Sequence, residues 1–298
     1  MEMLKQSILL VGSSGFLGAS FLEYLKINDL DLEVFSTNIF KKNNLEDKDL
    51  TILDESLPQN VTLIVCAGIK KQFGDSFAIL LKNNNIAENI SKFILKTNKL
   101  IKVIYISSAE VYDVELNNSA LTESSPLLPR TFYGVHKMYM ENLVEKICLD
   151  KQLKYLFLRP PLIYGIKDTS FSYGPSGFLS SAFLNKKIQI WGDGEELREF
   201  IYIDDFCSVL LALVYKEVKS GPINVVSGNS YSFQRVFQEI NNLFPSITKI
   251  MSTRTQNKVN VRFKPDYLMS IMGEEFEFTN LEAGLKKMTI EAKALKWP

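Results

Sequence analysis

Histidine and cysteine are scarce in this sequence: one histidine, His136, and three cysteines, Cys66, Cys148 and Cys207, among 298 residues. The cysteines are odd in number and far apart, with no CxxC pair and no Cys/His cluster. That argues against a disulfide framework and gives no metal site to expect, so the thiols read as reduced, small, buried apolar groups. An excess of charge of one sign is missing too. Lys plus Arg and Asp plus Glu each number 34, so the summed field calls for neither nucleic acid nor an acidic membrane as partner, and any bound phosphate must be gripped locally. No apolar run approaches the length of a membrane span, and no basic stretch followed by a long apolar one opens the chain. A cytoplasmic protein is expected. Internal repeats and low-complexity tracts are absent as well.

What is present is alternation. Ile8-Leu9-Leu10-Val11 is a continuous apolar run closed by Gly12, and Phe16, Leu17, Phe21, Leu22 and Leu25 follow at helical spacing. Further apolar runs at residues 32–35, 50–53, 61–67, 103–106 and 155–158 read as strands buried on both faces, with helices expected over 77–97 and 133–152. Strands alternating with helices predict an α/β fold with a doubly wound parallel sheet of the Rossmann type. After Arg159-Pro160-Pro161 the pattern loses its regularity, and Gly and Pro cluster between 165 and 177. We therefore expect a dinucleotide-binding domain over residues 1–165 and a smaller substrate-binding α/β domain over 166–298, with 200–215 packing back on the first.

Gly12-Ser13-Ser14-Gly15-Phe16-Leu17-Gly18 has GxxGxxG spacing directly after a buried strand and at the head of an amphipathic helix. The first glycine permits a tight turn, the second lets the backbone approach a pyrophosphate, and the third lets helix and strand pack closely; the helix N-terminus adds free N–H donors. Gly12, Ser14, Gly15, Phe16, Leu17 and Gly18 are thus expected to hold NAD(P), joined by Ala67 and Gly68 at the end of the 61–67 strand. An acid ending the second strand, about twenty residues on, would mark NAD. Here the place reads Phe35-Ser36-Thr37-Asn38, with Lys41 and Lys42 just beyond. Ser36, Thr37 and Asn38 are expected beside the adenosine ribose, and NADP(H) is preferred over NAD(H). Asp54, after the expected 50–53 strand, is placed to meet the adenine edge.

The 103–106 strand runs into Ser107-Ser108-Ala109-Glu110-Val111-Tyr112, and Tyr133-Gly134-Val135-His136-Lys137 opens a helix. Residues four apart share one helical face. A phenol with its ordinary pKa of about 10 is a poor base at neutral pH, but a neighbouring ammonium and an adjacent nicotinamide cation favour phenolate. Tyr133 is therefore expected to give and take the proton, with Lys137 as its cation and Ser108 on the same substrate oxygen. His136 points away from that pair and reads as a bystander. Tyr112, Tyr164 and Tyr173 either touch a sugar or base or pack as ordinary aromatics.

With these residues, and with Leu158-Arg159-Pro160-Pro161-Leu162-Ile163-Tyr164-Gly165, Ile190-Trp191-Gly192-Asp193-Gly194, Arg198-Glu199-Phe200-Ile201-Tyr202-Ile203-Asp204-Asp205 and Asn224-Val225-Val226-Ser227-Gly228, the chain resembles the extended short-chain dehydrogenase/reductase family almost end to end. That family comprises nucleotide-sugar epimerases, dehydratases and reductases. The resemblance implies that Lys137 also holds the nicotinamide ribose, that Asn85 lies on the helix behind the site, that Pro160 flanks the nicotinamide, and that Arg198 pairs with the substrate's diphosphate. It further implies a homodimer joined through the helices from Phe77 and Tyr133. One departure matters. Members that remove water from dTDP-glucose carry an adjacent Asp-Glu pair after the hydroxyl residue, and this chain reads Ala109-Glu110, which argues against 4,6-dehydration. Glu110 is either a proton-transfer group or a capping carboxylate. The expected activity is reduction of a 4-keto-6-deoxy nucleotide sugar; the alternatives are a 4-epimerase that keeps NAD bound, and a non-catalytic nucleotide-sensing Rossmann protein. The last would be marked by loss of the Tyr, Lys or Ser, and all three are present.

Overall fold

The computed structural model describes residues 6–30, 32–113, 120–171, 174–254 and 257–297. β1 (Ser7–Val11) is buried at every position and leads through the glycine turn into α1 (Phe16–Ile27). The alternation continues with β2 (Glu33–Thr37), α2 (Asp47–Ser56), β3 (Val61–Val65), α3 (Phe77–Lys96), β4 (Leu100–Ile106), α4 (Phe132–Asp150) and β5 (Lys154–Arg159). Shorter elements follow: β6 (Leu162–Tyr164), α5 (Gly174–Phe183), β7 (Ile188–Trp191), β8 (Leu197–Tyr202), α6 (Ile203–Tyr215), β9 (Gly221–Asn224), β10 (Ser230–Ser232), α7 (Phe233–Leu243), β11 (Lys249–Ser252), α8 (Asp266–Met272) and α9 (Leu281–Leu295).

One sheet runs β2-β1-β3-β4-β5-β9, and its β1/β2, β1/β3, β3/β4 and β4/β5 pairs are parallel. The runs of β1, β3, β4 and β5 are continuous because both faces of such a sheet are covered by helices, whereas β2, at the sheet edge, has no buried position and is not the doubly covered strand that the sequence suggests. Strand order grows outward from β1 in both directions, so the connections after β1 and β3 part company and leave a crevice at their C-terminal ends, where α/β proteins take ligands. Val11 sits opposite Thr37 and Val65, Val65 opposite Tyr105, and Tyr105 opposite Phe157. The turns that follow these strands therefore gather along one edge.

The run at 50–53 is not a strand. It lies inside α2, where Leu50, Leu53 and Leu57 recur at helical spacing and the Asp49 carboxylate accepts from the Glu46 N–H at 3.3 Å to fix the first turn. Asp54 consequently rides on a helix rather than at a strand end, and its carbonyl accepts from Lys99 Nζ.

The chain divides into two compact units: Met1–Tyr112, Leu127–Arg159 and Leu210–Ile223 form one, and Asp113–Pro126, Pro160–Val209 and Asn224–Pro298 the other. In the first, the buried Lys102 of β4 donates to the carbonyls of Leu213, Val214 and Lys216 at 3.2, 3.0 and 3.0 Å, placing a cation on the orphan carbonyls that end α6. The second holds the three-stranded sheet β10-β8-β6 and the parallel pair β11-β7. Its interior is aromatic, with the Tyr164 and Tyr202 rings 5.4 Å apart and Phe183 packed between Phe244 and Trp297. Among the described residues no helix is long and apolar enough to cross a membrane, and no acidic, cysteine or histidine group could hold a metal ion.

Candidate active site

The turn after β1 is compressed from two sides. Gly12 takes φ +93°, and a Cβ there would lie 2.7 Å from the Ala67 nitrogen; one on Gly18 would lie 2.4 Å from the Gly12 oxygen. Only glycine lets α1 close over the turn and the turn close over the residues leaving β3. Gly15, at the N-cap, offers no side chain to α1 and no acid occupies its first turn, whereas α3, α4, α7 and α9 are capped by Ser76, Thr131, Ser232 and Asn280. The α1 terminus thus keeps its N–H donors and positive end for an anion. Ser14 is exposed and Phe16 and Leu17 half-buried beside it, and Lys70 Nζ stands 4.7 Å over the Phe16 ring.

At the end of β2 the Thr37 hydroxyl accepts from the Ile39 N–H at 3.2 Å, while Ser36 and Asn38 are exposed. The loop beyond is gripped from α3: Asn85 donates to the Lys42 carbonyl at 3.0 Å, and Asn89 to those of Phe40 and Lys42 at 3.0 and 2.9 Å. Lys42 pairs with Asp49 at 2.9 Å, and Lys41 is exposed. Asn83, one turn before Ala87 on the same helix, was not singled out by the sequence. It is 1 % exposed, accepts from the Ile69 N–H at 2.7 Å and donates to the Ile69 carbonyl at 3.1 Å, so it pins the segment after Gly68. The signal was there: an asparagine triplet, 83–85, in an otherwise amphipathic helix.

Ser107 and Ser108 follow β4. Ser108 Oγ accepts from the Glu110 N–H at 3.2 Å, starting a tight turn. Thr131 caps α4 through the Gly134 N–H at 3.0 Å, and Asp75 accepts from the Tyr133 N–H at 3.0 Å. A Cβ on Gly134 would lie 2.4 Å from the Glu110 oxygen; glycine at this place lets the first turn of α4 press on the turn after Ser108. That contact brings Ser108 and Tyr133 to one neighbourhood. One helical turn on, the buried Lys137 donates to the Ile106 carbonyl at 2.7 Å, with its ammonium 4.7 Å from the Tyr105 ring centre and 5.4 Å from that of Tyr133. A Cβ on Gly68 would lie 4.0 Å from the same ammonium.

Burial pushes Lys137 down to about 8, against the pull of the Glu141 carboxylate, and pushes the Cys66 thiol up to about 12, which keeps it neutral. Glu110 receives Lys71 Nζ at 3.3 and 3.2 Å and the Thr131 hydroxyl at 3.2 Å. His136 Nδ1 lies 3.0 Å from Asn84 Oδ1; burial, then the Lys137 charge, holds its pKa down at about 3, so the ring stays neutral at physiological pH. Tyr112 and Tyr164 are buried, the first accepting from Arg159 Nη1 at 2.9 Å; Tyr173 lies outside the described residues. Pro160 directly follows β5 and is buried.

Arg198 belongs to the second unit. Its Nη2 donates to Glu196 at 2.6 Å and its Nη1 to the Leu197 and Val259 carbonyls. Arg254, which nothing in its sequence surroundings marked, donates to the other oxygen of the same carboxylate at 2.6 Å. Two guanidiniums share one buried carboxylate, an arrangement that leaves the group cationic.

A family model described as "NAD dependent epimerase/dehydratase family" matches residues 8–226. Among curated relatives, a GDP-6-deoxy-D-talose 4-dehydrogenase from Aggregatibacter actinomycetemcomitans is 25% identical over 293 residues, covering 94% of this chain and 96% of that protein. A dTDP-D-glucose 4,6-dehydratase from Dictyostelium discoideum is 30% identical over 270 residues, covering 80% of this chain and 60% of that one. The fold is that of a solved UDP-glucose 4-epimerase from Thermotoga maritima, with a TM-score of 0.81 at 17% identity over 98% of this chain and 100% of the other.

Proposed function

This chain belongs to the NAD dependent epimerase/dehydratase family, and we propose that within it the protein is an NAD(P)-dependent oxidoreductase that reduces a 4-keto-6-deoxy nucleotide sugar. The observation that carries this reading is the convergence of Tyr133, Lys137 and the Ser108 turn, on the same sheet edge as the side-chain-free N-terminus of α1. The glycine cradle, which a Cβ would fill, fits a pyrophosphate, and Ala67 and Gly68 line the path from it towards Lys137. When bound, the nicotinamide supplies the hydride. Tyr133 gives its proton to the C4 oxygen as that carbon is reduced, Ser108 holds the same oxygen, and the Lys137 ammonium makes the phenol a better acid. Ala109 stands where dehydration would need an acid, and Glu110 is committed to Lys71 and Thr131, which favours its capping role. The name of the relative from A. actinomycetemcomitans joins a nucleotide-linked 6-deoxy sugar to reaction at C4, and so supports this choice.

We prefer NADP(H). The β2 end, Ser36-Thr37-Asn38, has no acid for a ribose 2′-hydroxyl, and Lys41 lies exposed in the loop that Asn85 and Asn89 hold. Arg198 takes the substrate's diphosphate in this reading, the protein works in the cytoplasm, and two copies pair through α3 and α4. The test is to denature purified protein, identify any released dinucleotide by mass spectrometry, and titrate emptied protein with NADH and NADPH by fluorescence. Empty protein that binds NADPH much more tightly supports a ketosugar reductase. Stoichiometric NAD carried through purification overturns the NADP(H) preference and points to a 4-epimerase that recycles its hydride.

A further inference from the structure

Behind the Tyr133, Lys137 and Ser108 group lies a buried ionic knot that the proposed reaction does not itself use. Arg159, the last residue of β5, donates from Nε to Glu141 Oε1 at 2.9 Å and from Nη2 to Glu141 Oε2 at 2.6 Å, while Nη1 reaches the Tyr112 hydroxyl at 2.9 Å. The Ser107 hydroxyl donates to Glu141 Oε1 at 2.5 Å. Arg159 and Glu141 are 4% and 3% exposed. The knot therefore joins the end of β5, the end of β4, the end of the turn after Ser108, and α4.

Its placement is specific. Glu141 follows Lys137 by one helical turn and Tyr133 by two, on the same face of α4. Ser107 is the neighbour of Ser108. The end of β4 is thus held to α4 at two successive points, Ile106 to Lys137 and Ser107 to Glu141. A buried ion pair is a poor source of net stability, because desolvation offsets its attraction and apolar residues of equal volume serve as well. What such a pair does supply is a fixed register, here between the strand end that carries one reacting group and the helix that carries two. The groups facing Lys137 are Cys66 after β3, Tyr105 on β4, and Tyr133, His136 and Glu141 on its own helix; Glu141 is the carboxylate among them.

We propose that Glu141, clamped by Arg159, is a positioning residue that sets Ser108 against Tyr133 and Lys137. The proposal rests on the reading of those three residues given above. It is tested by turnover of a 4-keto-6-deoxy nucleotide sugar by wild type, Ser107→Ala, Glu141→Gln, the double variant Glu141→Met with Arg159→Met, and Tyr133→Phe, each checked for folding by thermal melt. Ser107→Ala leaves no charge unpaired, so it folds; its kcat falls about tenfold with KM little changed, the signature of lost alignment. Glu141→Gln lowers kcat about a hundredfold and moves the alkaline limb of the pH profile to lower pH, because the ammonium loses its carboxylate. The double variant, free of the buried ion pair, keeps a wild-type melt and has the low kcat. Wild-type kcat in folded Ser107→Ala and in the double variant, with an unmoved alkaline limb, overturns the proposal and leaves the knot a purely structural pair. An inactive Tyr133→Phe beside fully active clamp variants sinks this inference alone, whereas full turnover by Tyr133→Phe sinks the reading of the three residues and this inference with it.

Discussion

Lys137, in its proposed role, shows how a functional group and a stable fold pull in opposite directions at a single residue. Its pKa falls from the ordinary lysine value of 10.5 to about 8 because the ammonium is buried, and below pH 8 that burial costs about 3 kcal/mol of stability. Between 8 and 10.5 the folded protein has released this proton while the unfolded chain still holds it, so stability rises with pH across that window. Lys137→Met is expected to melt higher than wild type at pH 7, to lose this advantage towards pH 10.5, and to lose turnover entirely. Glu199 is the acidic counterpart in the second unit. Burial raises it to about 7 from 4.5, although the Ser227 and Gly228 N–H groups donate to its Oε1; its Oε2 is buried without a hydrogen-bond partner. The folded protein keeps that proton between 4.5 and 7, so this residue's contribution is full below 4.5 and is lost as pH rises through 7, by about 3 kcal/mol. Glu199→Gln should melt like wild type at pH 4 and clearly higher at pH 8, a difference that paired melts at the two pH values measure. Tyr133, Lys137 and Ser108 stood out in the sequence because the proposed chemistry demands fixed residue types at fixed spacing. Glu141 and Arg254 did not, because each acquires meaning only from a partner that folding brings up, Arg159 and Glu196; Asn83 left only the trace of an asparagine triplet, and its role appears with Ile69.

Elements were legible where their hydrophobic period was unambiguous. β1 and β3, buried at every position, and the long helices α3 and α4 follow directly from their patterns. The 50–53 run failed because four residues are too few to separate a period of two from one of 3.6; the acids at 46, 47 and 49 that cap α2 were the better guide. The glycine turn is the element most sensitive to change. Gly18→Ala would set a methyl 2.4 Å from the Gly12 oxygen, and backbone cannot yield as a side chain can. We expect this variant to lose dinucleotide binding by tenfold or more, about 1.4 kcal/mol, and to melt lower; unchanged NADPH titration would show that the cradle is not the pyrophosphate site.

At the scale of the whole molecule, sequence reading expects domains over 1–165 and 166–298 with 200–215 packing back on the first, while contacts gather the chain into units it enters more than once, with 113–126 in the second and 210–223 in the first. The 113–126 crossing leaves no compositional trace. Within the first unit, Phe77 and Leu81 on α3 and Phe132, Val135 and Tyr139 on α4 are exposed, with the Phe77 and Phe132 rings 6.2 Å apart. The proposed dimer would cover this exposed apolar face, and it predicts that wild type elutes as a dimer in size exclusion with light scattering, while Leu81→Glu with Tyr139→Glu elutes as a folded monomer. A wild-type monomer at micromolar concentration would contradict it.

Hydride transfer itself is open to direct observation. NADPH carrying deuterium at C4 of its nicotinamide, incubated with the protein and a 4-keto-6-deoxy nucleotide sugar, should yield a reduced sugar with the deuterium at C4, and Tyr133→Phe should yield almost none. A wild-type protein that transfers no label from either NADPH or NADH, or a Tyr133→Phe variant that transfers it at the wild-type rate, would contradict the assignment of this site to Tyr133-assisted reduction.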